Sequence, residues 1–454
     1  MDASPHIPFP ASGSYPVRAG NAVRPLVDGA AAFGRICAAI AAARHSVWAT
    51  IAFVAPEFRM PGGHGSLFDV LDRAVARGLD VRVIFWRPAA ADGAPVRTFA
   101  GSAADRAMLG ERGSRFRARW DRAHGGFCQH QKSWLVDAGR PSATAFVGDL
   151  NPRALADPGH DGEEQIHDLY VEVAGPAAAD VHHNFVQRWN EASERAAGDG
   201  VWGHDGDDDL PFPDGVPSPR GAALVQIQRT VHAGRYRDGR AVPGGRPHDI
   251  HGGERSILDQ YLLAIGAARR ALYIENQAVP VPEVAAALDA ALARGVDVVL
   301  LVPARPEDQV RAARRAPERR PLFDALAALG RHERFALVGI AGRDGRGGRA
   351  DVYVHAKAML VDDAWATIGS CNLHAASLLG NTEMNASFRD PAVVRALRCA
   401  LLAEHLGSDT ADLDDGRALA LYRRIARENR RRRDAGDSDW RGLAFSLDPA
   451  AYGA

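Results

Sequence analysis

The sequence says the same thing twice. Leu71-Asp-Arg-Ala-Val-Ala-Arg-Gly-Leu-Asp-Val81 returns as Leu288-Asp-Ala-Ala-Leu-Ala-Arg-Gly-Val-Asp-Val298, and Ile40-Ala-Ala-Ala-Arg44 returns as Ile265-Gly-Ala-Ala-Arg269. The first pair reads as a helix end, a glycine C-cap and a buried strand, Val81–Trp86 in one copy and Val298–Val302 in the other. The second pair predicts helix ends feeding strands at Ser46–Val54 and Ala271–Val279. Downstream, Gly148-Asp-Leu-Asn151 parallels Gly369-Ser-Cys-Asn372. Asp168-Leu-Tyr-Val-Glu-Val-Ala-Gly-Pro176 parallels Glu383-Met-Asn-Ala-Ser-Phe-Arg-Asp-Pro391, each an alternating strand before a proline that opens a helix. Strands alternating with helices predict an α/β fold, and the repeat predicts two tandem pseudo-symmetric lobes. We place the lobes at 20–200 and 220–410, with an acidic, Pro/Gly-rich linker over 201–219 and an arginine-rich helical tail over 411–454. Stretches at roughly 88–127, 229–254 and 303–320 break the periodicity and read as loops over the motifs.

Composition narrows the field. The 454 residues hold 55 basic against 56 acidic side chains, 46% apolar and 24% charged, an ordinary globular balance. Near-zero net charge argues against a general nucleic-acid binder. Cys37, Cys128, Cys371 and Cys399 form no CxxC pair, so neither a disulfide framework nor a zinc site is expected. The first 25 residues are polar and Pro/Gly-rich, and no run reaches the ~18 apolar residues of a membrane span. The expectation is a cytoplasmic protein, with peripheral membrane contact left open.

Lysine usage locates the chemistry. Only Lys132 and Lys357 are lysines; the other 53 basic residues are arginines. Each lysine sits two residues after a histidine and five before an aspartate, in His130-Gln-Lys132-Ser-Trp-Leu-Val-Asp137 and His355-Ala-Lys357-Ala-Met-Leu-Val-Asp362. A compact ammonium is not interchangeable with a guanidinium. Along a strand, residues i and i+2 share a face, so each histidine projects with its lysine. Two such pairs facing one another gather two imidazoles and two ammoniums, which repel unless an anion lies between them. A phosphodiester fits, held by Lys132 and Lys357, with Asn151, Asn372 and Ser370 as neutral partners. One histidine attacks phosphorus while the other protonates the leaving alcohol. Asp168 and Glu383 orient the imidazoles. Asp137 and Asp362, at the strand ends, are expected to be structural. Asp149 stands where the second half has Ser370; because a carboxylate repels phosphate, it is expected to turn away. The sequence carries no P-loop, dinucleotide fingerprint or metal-ligand spacing, so neither metal nor cofactor is predicted.

These residues resemble the phospholipase D superfamily, whose HxKxxxxD motif occurs twice in its lipid-acting members. The resemblance runs from about 20 to 410. Val225-Gln-Ile-Gln-Arg-Thr230, Gly253-Glu-Arg-Ser-Ile257, Leu272-Tyr-Ile-Glu-Asn-Gln277 and Pro56-Glu-Phe-Arg-Met-Pro61 are similar to stretches of plant and animal phospholipases D. The family implies a mixed sheet flanked by helices in each lobe, an active site at the interface between lobes, a phosphohistidine intermediate and no metal in the chemical step. It also implies His130 as nucleophile and His355 as general acid. The leading expectation is a monomeric phosphodiesterase of phospholipase D type. It would hydrolyse or transphosphatidylate the distal phosphate ester of a glycerophospholipid, hydrolysis giving phosphatidic acid. The alternatives are a phosphatidyltransferase such as cardiolipin or phosphatidylserine synthase, and a nuclease of the same superfamily.

Overall fold

The computed structural model describes residues 6–88, 99–123, 126–152, 166–193, 208–344 and 347–454. Seven strands of the first half build most of its sheet: β1 (Arg18–Val27), β2 (Ser46–Ile51), β3 (Asp80–Trp86), β4 (Arg117–Asp121), β5 (Lys132–Val136), β6 (Thr144–Gly148) and β7 (Leu169–Ala174). Their counterparts are β8 (Ala223–Val231), β9 (Ala271–Glu275), β10 (Asp297–Leu301), β11 (Phe335–Arg343), β12 (Ala358–Val361), β13 (Trp365–Gly369) and β14 (Glu383–Arg389). In the first half β2, β3 and β4 run parallel, and β2–β5–β6–β7–β1 continue antiparallel. The second half repeats this order, with β9, β10 and β11 parallel and β9–β12–β13–β14–β8 antiparallel. Register repeats as well: Val47 faces Val136 as Leu272 faces Val361.

The two sets are joined. β1 and β8 pair antiparallel, Arg18 opposite Val225 and Asn21 opposite Ala223, so the two sets belong to one mixed 17-stranded sheet, with two small two-stranded sheets beside it among the described residues. β1 begins within the first 25 residues, whose polar, Pro/Gly-rich composition shows no strand.

Helical periodicity explains the covering layers. On α1 (Asp28–Ala42), Phe33, Ile36, Cys37 and Ile40 follow the i, i+3, i+4, i+7 rule and pack with α2 (Leu67–Ala76) against Val47, Ala49, Val81 and Val83. Helix α3 (Ala178–Asn190) lies on the other face. In the second half, α4 (Ser256–Ala267) and α5 (Pro282–Ala293) bring Ile257, Tyr261, Ile265 and Leu288 onto Leu272, Ile274, Val298 and Leu300. Helices α6 (Pro391–Leu406) and α7 (Asp415–Asp434) share with α3 one core that contains Val171, Phe185, Tyr273, Val299, Leu401 and Tyr422. Each such side chain fully buried is worth about 1.5–3 kcal/mol.

Three sequence expectations need correction. The stretch 88–127 contains a helix, Ala103–Arg112, and β4; 303–320 contains a helix, Asp308–Arg315. β4 was illegible because its alternating residues are charged yet buried: Arg119 is 2% exposed and Asp121 is fully buried, paired with Arg188 and Arg235. Residues 89–98, 124 and 125, like 201–207 of the expected linker, lie outside the described residues. The arginine-rich end, expected as a tail, packs into the fold. Ala418, Leu419, Tyr422 and Ala426 of α7 are buried, Arg423 pairs with Asp297 at 2.6 Å, and Ala444–Ser446 returns to pair with β11.

Candidate active site

The motif strands are anchored at their far ends. Asp137 and Asp362 adopt φ of 55° and 54°, a left-handed conformation that aspartate tolerates better than most residues. The Asp137 carboxylate accepts the backbone N–H groups of Arg44, His45 and Ser46, and Asp362 accepts those of Arg269, Arg270 and Ala271. Each clamps its motif strand to the start of the neighbouring strand, roughly 17 Å of extended chain from the lysine.

At the other end the halves exchange partners. The His130 N–H donates to the Thr382 carbonyl at 3.0 Å, and the His355 N–H to the His167 carbonyl at 2.8 Å. The residues that follow those carbonyls are Glu383 and Asp168. His130 Nδ1 lies 2.9 Å from Glu383 Oε2, and His355 Nδ1 lies 2.7 Å from Asp168 Oδ2. Each imidazole is therefore oriented by a carboxylate from the opposite half, and all four residues meet in one place.

Both lysines converge there too. Lys132 Nζ lies 2.9 Å from His130 Nε2 and 2.5 Å from Asp149 Oδ1. An ammonium can only donate, so His130 Nε2 must accept. That leaves the ring proton on Nδ1, facing Glu383. Lys132 also lies 5.5 Å from the Phe53 ring centroid, in cation–π range. Lys357 donates to Gln277 Oε1 and to the His355 carbonyl, and ion-pairs with Asp149 Oδ2. Phe53 and Gln277 reach the site because β2 and β9 leave the sheet at Ile51 and Glu275, earlier than their apolar runs suggest.

Asp149 overturns its expectation. It does not turn away: it is fully buried between the two lysines, with Oδ2 3.2 Å from His355 Nδ1. Four potential cations in a dry volume demand a counter-charge, and this carboxylate supplies one. Ser370, expected at the phosphate, instead donates to Glu383 Oε2 at 2.6 Å and accepts the Met384 N–H. Asn151 has both ends of its amide on main chain, accepting from Phe53 N–H and donating to the Asp149 carbonyl. Asn372 is buried, and among the described residues its Oδ1 has no hydrogen-bond partner. Sequence reasoning missed Ser377 and Asn381, which both donate to Glu383 Oε1.

These neighbours make the two carboxylates unlike. Burial would raise Glu383, but His130, Lys132 and the Ser370 hydroxyl overrule it and hold the carboxyl below its usual range. Asp168 lacks that ring of donors. Burial dominates, the charge on Asp149 adds to it, and its carboxyl is pushed up to about 8 despite Lys357. Burial, with Lys357 beside it, holds the His355 imidazole well below its ordinary value. Burial opposes ionisation of Asp149 as well, but Lys132 and Lys357 win and lower it. Both shifts, in residues 2.7 Å apart, favour a neutral carboxyl–imidazole pair carrying one proton over a separated charge pair.

Groups that could bind a cation also occur here, assembled from distant segments that linear spacing cannot reveal. Asp149, Asp168 and His355 bring donor atoms within 4.8 Å of one another, as do His167, Glu275 and His405. The first set already touches two ammoniums. In the second, both His167 nitrogens are taken, Nδ1 by Asp28 at 2.9 Å and Nε2 by Glu275 at 3.0 Å.

The chain is similar to known proteins. Residues 261–403 match the family model described as cardiolipin synthase, PLD-like domain. The chain is 27% identical to cardiolipin synthase A of Pseudomonas putida (strain W619) over 377 residues, 83% of this chain and 67% of that one. A shorter stretch of 136 residues, 25% of this chain and 15% of the other, is 31% identical to phospholipase D alpha 2 of Oryza sativa subsp. japonica. The chain belongs to the phospholipase D superfamily. The crystal structure of phosphatidylserine synthase from Haemophilus influenzae Rd KW20 shares this superfamily fold, with a TM-score of 0.54 at 12% identity, over 90% of this chain and 93% of that one. As an enzyme of the phospholipase D superfamily, the chain carries both HxKxxxxD motifs complete. Among the described residues no helix is long and apolar enough to cross a membrane.

Proposed function

We propose that the protein transfers a phosphatidyl group from a glycerophospholipid to an alcohol through a phosphohistidine, as a two-lobed enzyme with its halves at 20–200 and 220–410. Sequence reasoning led with hydrolysis; similarity to cardiolipin synthases moves the emphasis to transfer. The observation that carries the reading is the exchange of carboxylates, His130 with Glu383 and His355 with Asp168.

His130 is the nucleophile, because the ammonium of Lys132 keeps Nε2 as an acceptor and Glu383 takes the Nδ1 proton. Nε2 attacks phosphorus, the P–O bond to the leaving alcohol breaks, and that oxygen takes a proton from His355. The acceptor alcohol then gives its proton back to His355 and attacks phosphorus. The P–N bond breaks and its electron pair returns to His130. Lys132 and Lys357 hold the phosphoryl oxygens. Lys132, Lys357, Glu383 and Asp168 are almost wholly buried, an environment in which a bound alcohol competes well with water for the intermediate.

The decisive assay incubates the protein with phosphatidylglycerol or phosphatidylcholine, with and without glycerol, and weighs the lipid products by mass spectrometry. Transfer product in excess of phosphatidic acid is expected. Phosphatidic acid alone would assign hydrolysis, the reading favoured by the likeness to the rice phospholipase D; unconsumed lipid would remove both.

The pH profile gives a second test. The Asp168–His355 pair must hold a proton for the leaving alcohol, and it holds one up to about 8. Turnover of a lipid substrate should therefore fall as pH rises through that value. Asp168→Asn, which cannot titrate there, should lose that limb along with much of its rate. An unchanged limb in the variant would remove the pair as its source.

A further inference from the structure

Asp149 is a feature of the site that the repeat does not explain. Its counterpart is Ser370, whose hydroxyl faces Glu383 rather than the lysines. The Asp149 N–H reaches only the Leu169 carbonyl, at 3.4 Å, so the backbone does not require an acid here. Gly148 fixes where the carboxylate can go. A Cβ on Gly148 would meet the Leu169 carbonyl oxygen at 2.5 Å, so β6 lies hard against β7 and Asp149 moves only by turning its side chain.

The carboxylate ion-pairs with both ammoniums, Lys132 on Oδ1 and Lys357 on Oδ2, and lies within 3.8 Å of both His130 and His355. Lys132 is 1% exposed and Lys357 and Asp149 are fully buried, while the imidazoles keep some contact with solvent. An incoming phosphate can therefore touch the histidines before it can touch the lysines. To reach the lysines it must take the place of a carboxylate.

We propose that Asp149 is a selectivity determinant, a tethered anion seated where the substrate phosphoryl group binds, which admits phosphodiesters of large alcohols and keeps out inorganic phosphate and phosphomonoesters. This deepens the phosphodiester reading above and rests on it. Asp149 cancels one of the two lysine charges, and Glu383 adds a further negative charge beside His130, so the pocket favours a diester monoanion over a dianion. A lipid diester has its other contacts to help displace the carboxylate; free phosphate has none.

The test measures binding of inorganic phosphate, by calorimetry on the full-length protein, to wild type, Asp149→Ser and Asp149→Asn. Serine copies the second half; asparagine keeps the shape and removes the charge. Phosphate is expected to bind both variants at least about tenfold more tightly than wild type. Inhibition of lipid turnover by a phosphomonoester should strengthen in parallel. Equal or weaker phosphate binding in a folded variant overturns the proposal. Should either variant melt early, millimolar phosphate is expected to restore its melting temperature by replacing the missing anion, and instability that phosphate leaves unchanged overturns the proposal equally. Phosphate binding needs no turnover, so a failure of the lipid assay removes the proposed function without deciding this result.

Discussion

His130→Ala is expected to lower lipid turnover by at least about a thousandfold, and His355→Ala by a similar factor. The two losses should nonetheless differ in kind. His130 supplies the atom that bonds to phosphorus, so its variant should form no phosphoenzyme with any substrate. His355 supplies a proton, and a leaving group that needs none makes that service dispensable. A diester of p-nitrophenol should therefore restore the first step, a burst of p-nitrophenolate, in His355→Ala and not in His130→Ala, while turnover of His355→Ala stays slow because His355 also takes the proton of the acceptor alcohol. Acid-labile, base-stable phosphate on the protein, trapped from the p-nitrophenyl ester, is expected in wild type and in His355→Ala alone. The reverse pattern would exchange the two roles. Such an exchange would contradict the hydrogen bonding of His130 Nε2, which accepts from Lys132 at 2.9 Å while Nδ1 faces Glu383.

The second large effect is on stability. Asp362→Ala should cost about 3–5 kcal/mol. Its carboxylate accepts three backbone N–H groups at 2.8–2.9 Å, which alanine would leave unsatisfied, and its φ of 54° strains alanine. Asp362→Asn keeps an acceptor and tolerates the backbone angle, so it should cost less than half as much. Asp137→Ala removes the matching clamp of the first half, with an equivalent loss expected. Midpoints of urea unfolding check all three. A cost below 1 kcal/mol for both alanine variants would show that the strand ends are held by other means.

The sequence made the repeat, the motif strands and their partner strands legible, because apolar periodicity and the glycines at 78 and 295, with φ of 84° and 90°, are local signals. Charged strands were not. Buried Arg119 and Asp121 disguised β4 as a loop, since local patterning cannot tell a solvated charge from one with a buried partner far along the chain. The same limit hid the exchange at the site. Spacing could nominate Asp168 and Glu383, but could not say that each serves the histidine of the other half. Asp149 was misjudged for a related reason. A carboxylate does repel phosphate, but leaving two buried ammoniums without an anion costs more. Ser370 was likewise assigned to the substrate before its neighbour Glu383 could be seen to need a donor.

The crossed carboxylates also bear on how the enzyme fails. Because His130 borrows its alignment from Glu383 and His355 from Asp168, any slippage along the seam between the halves disarms the nucleophile and the proton donor together. A catalyst that stores a reactive P–N bond is at risk chiefly when one partner works and the other does not. Reciprocal lending makes that half-broken condition hard to reach, so the machinery tends to be either fully assembled or silent.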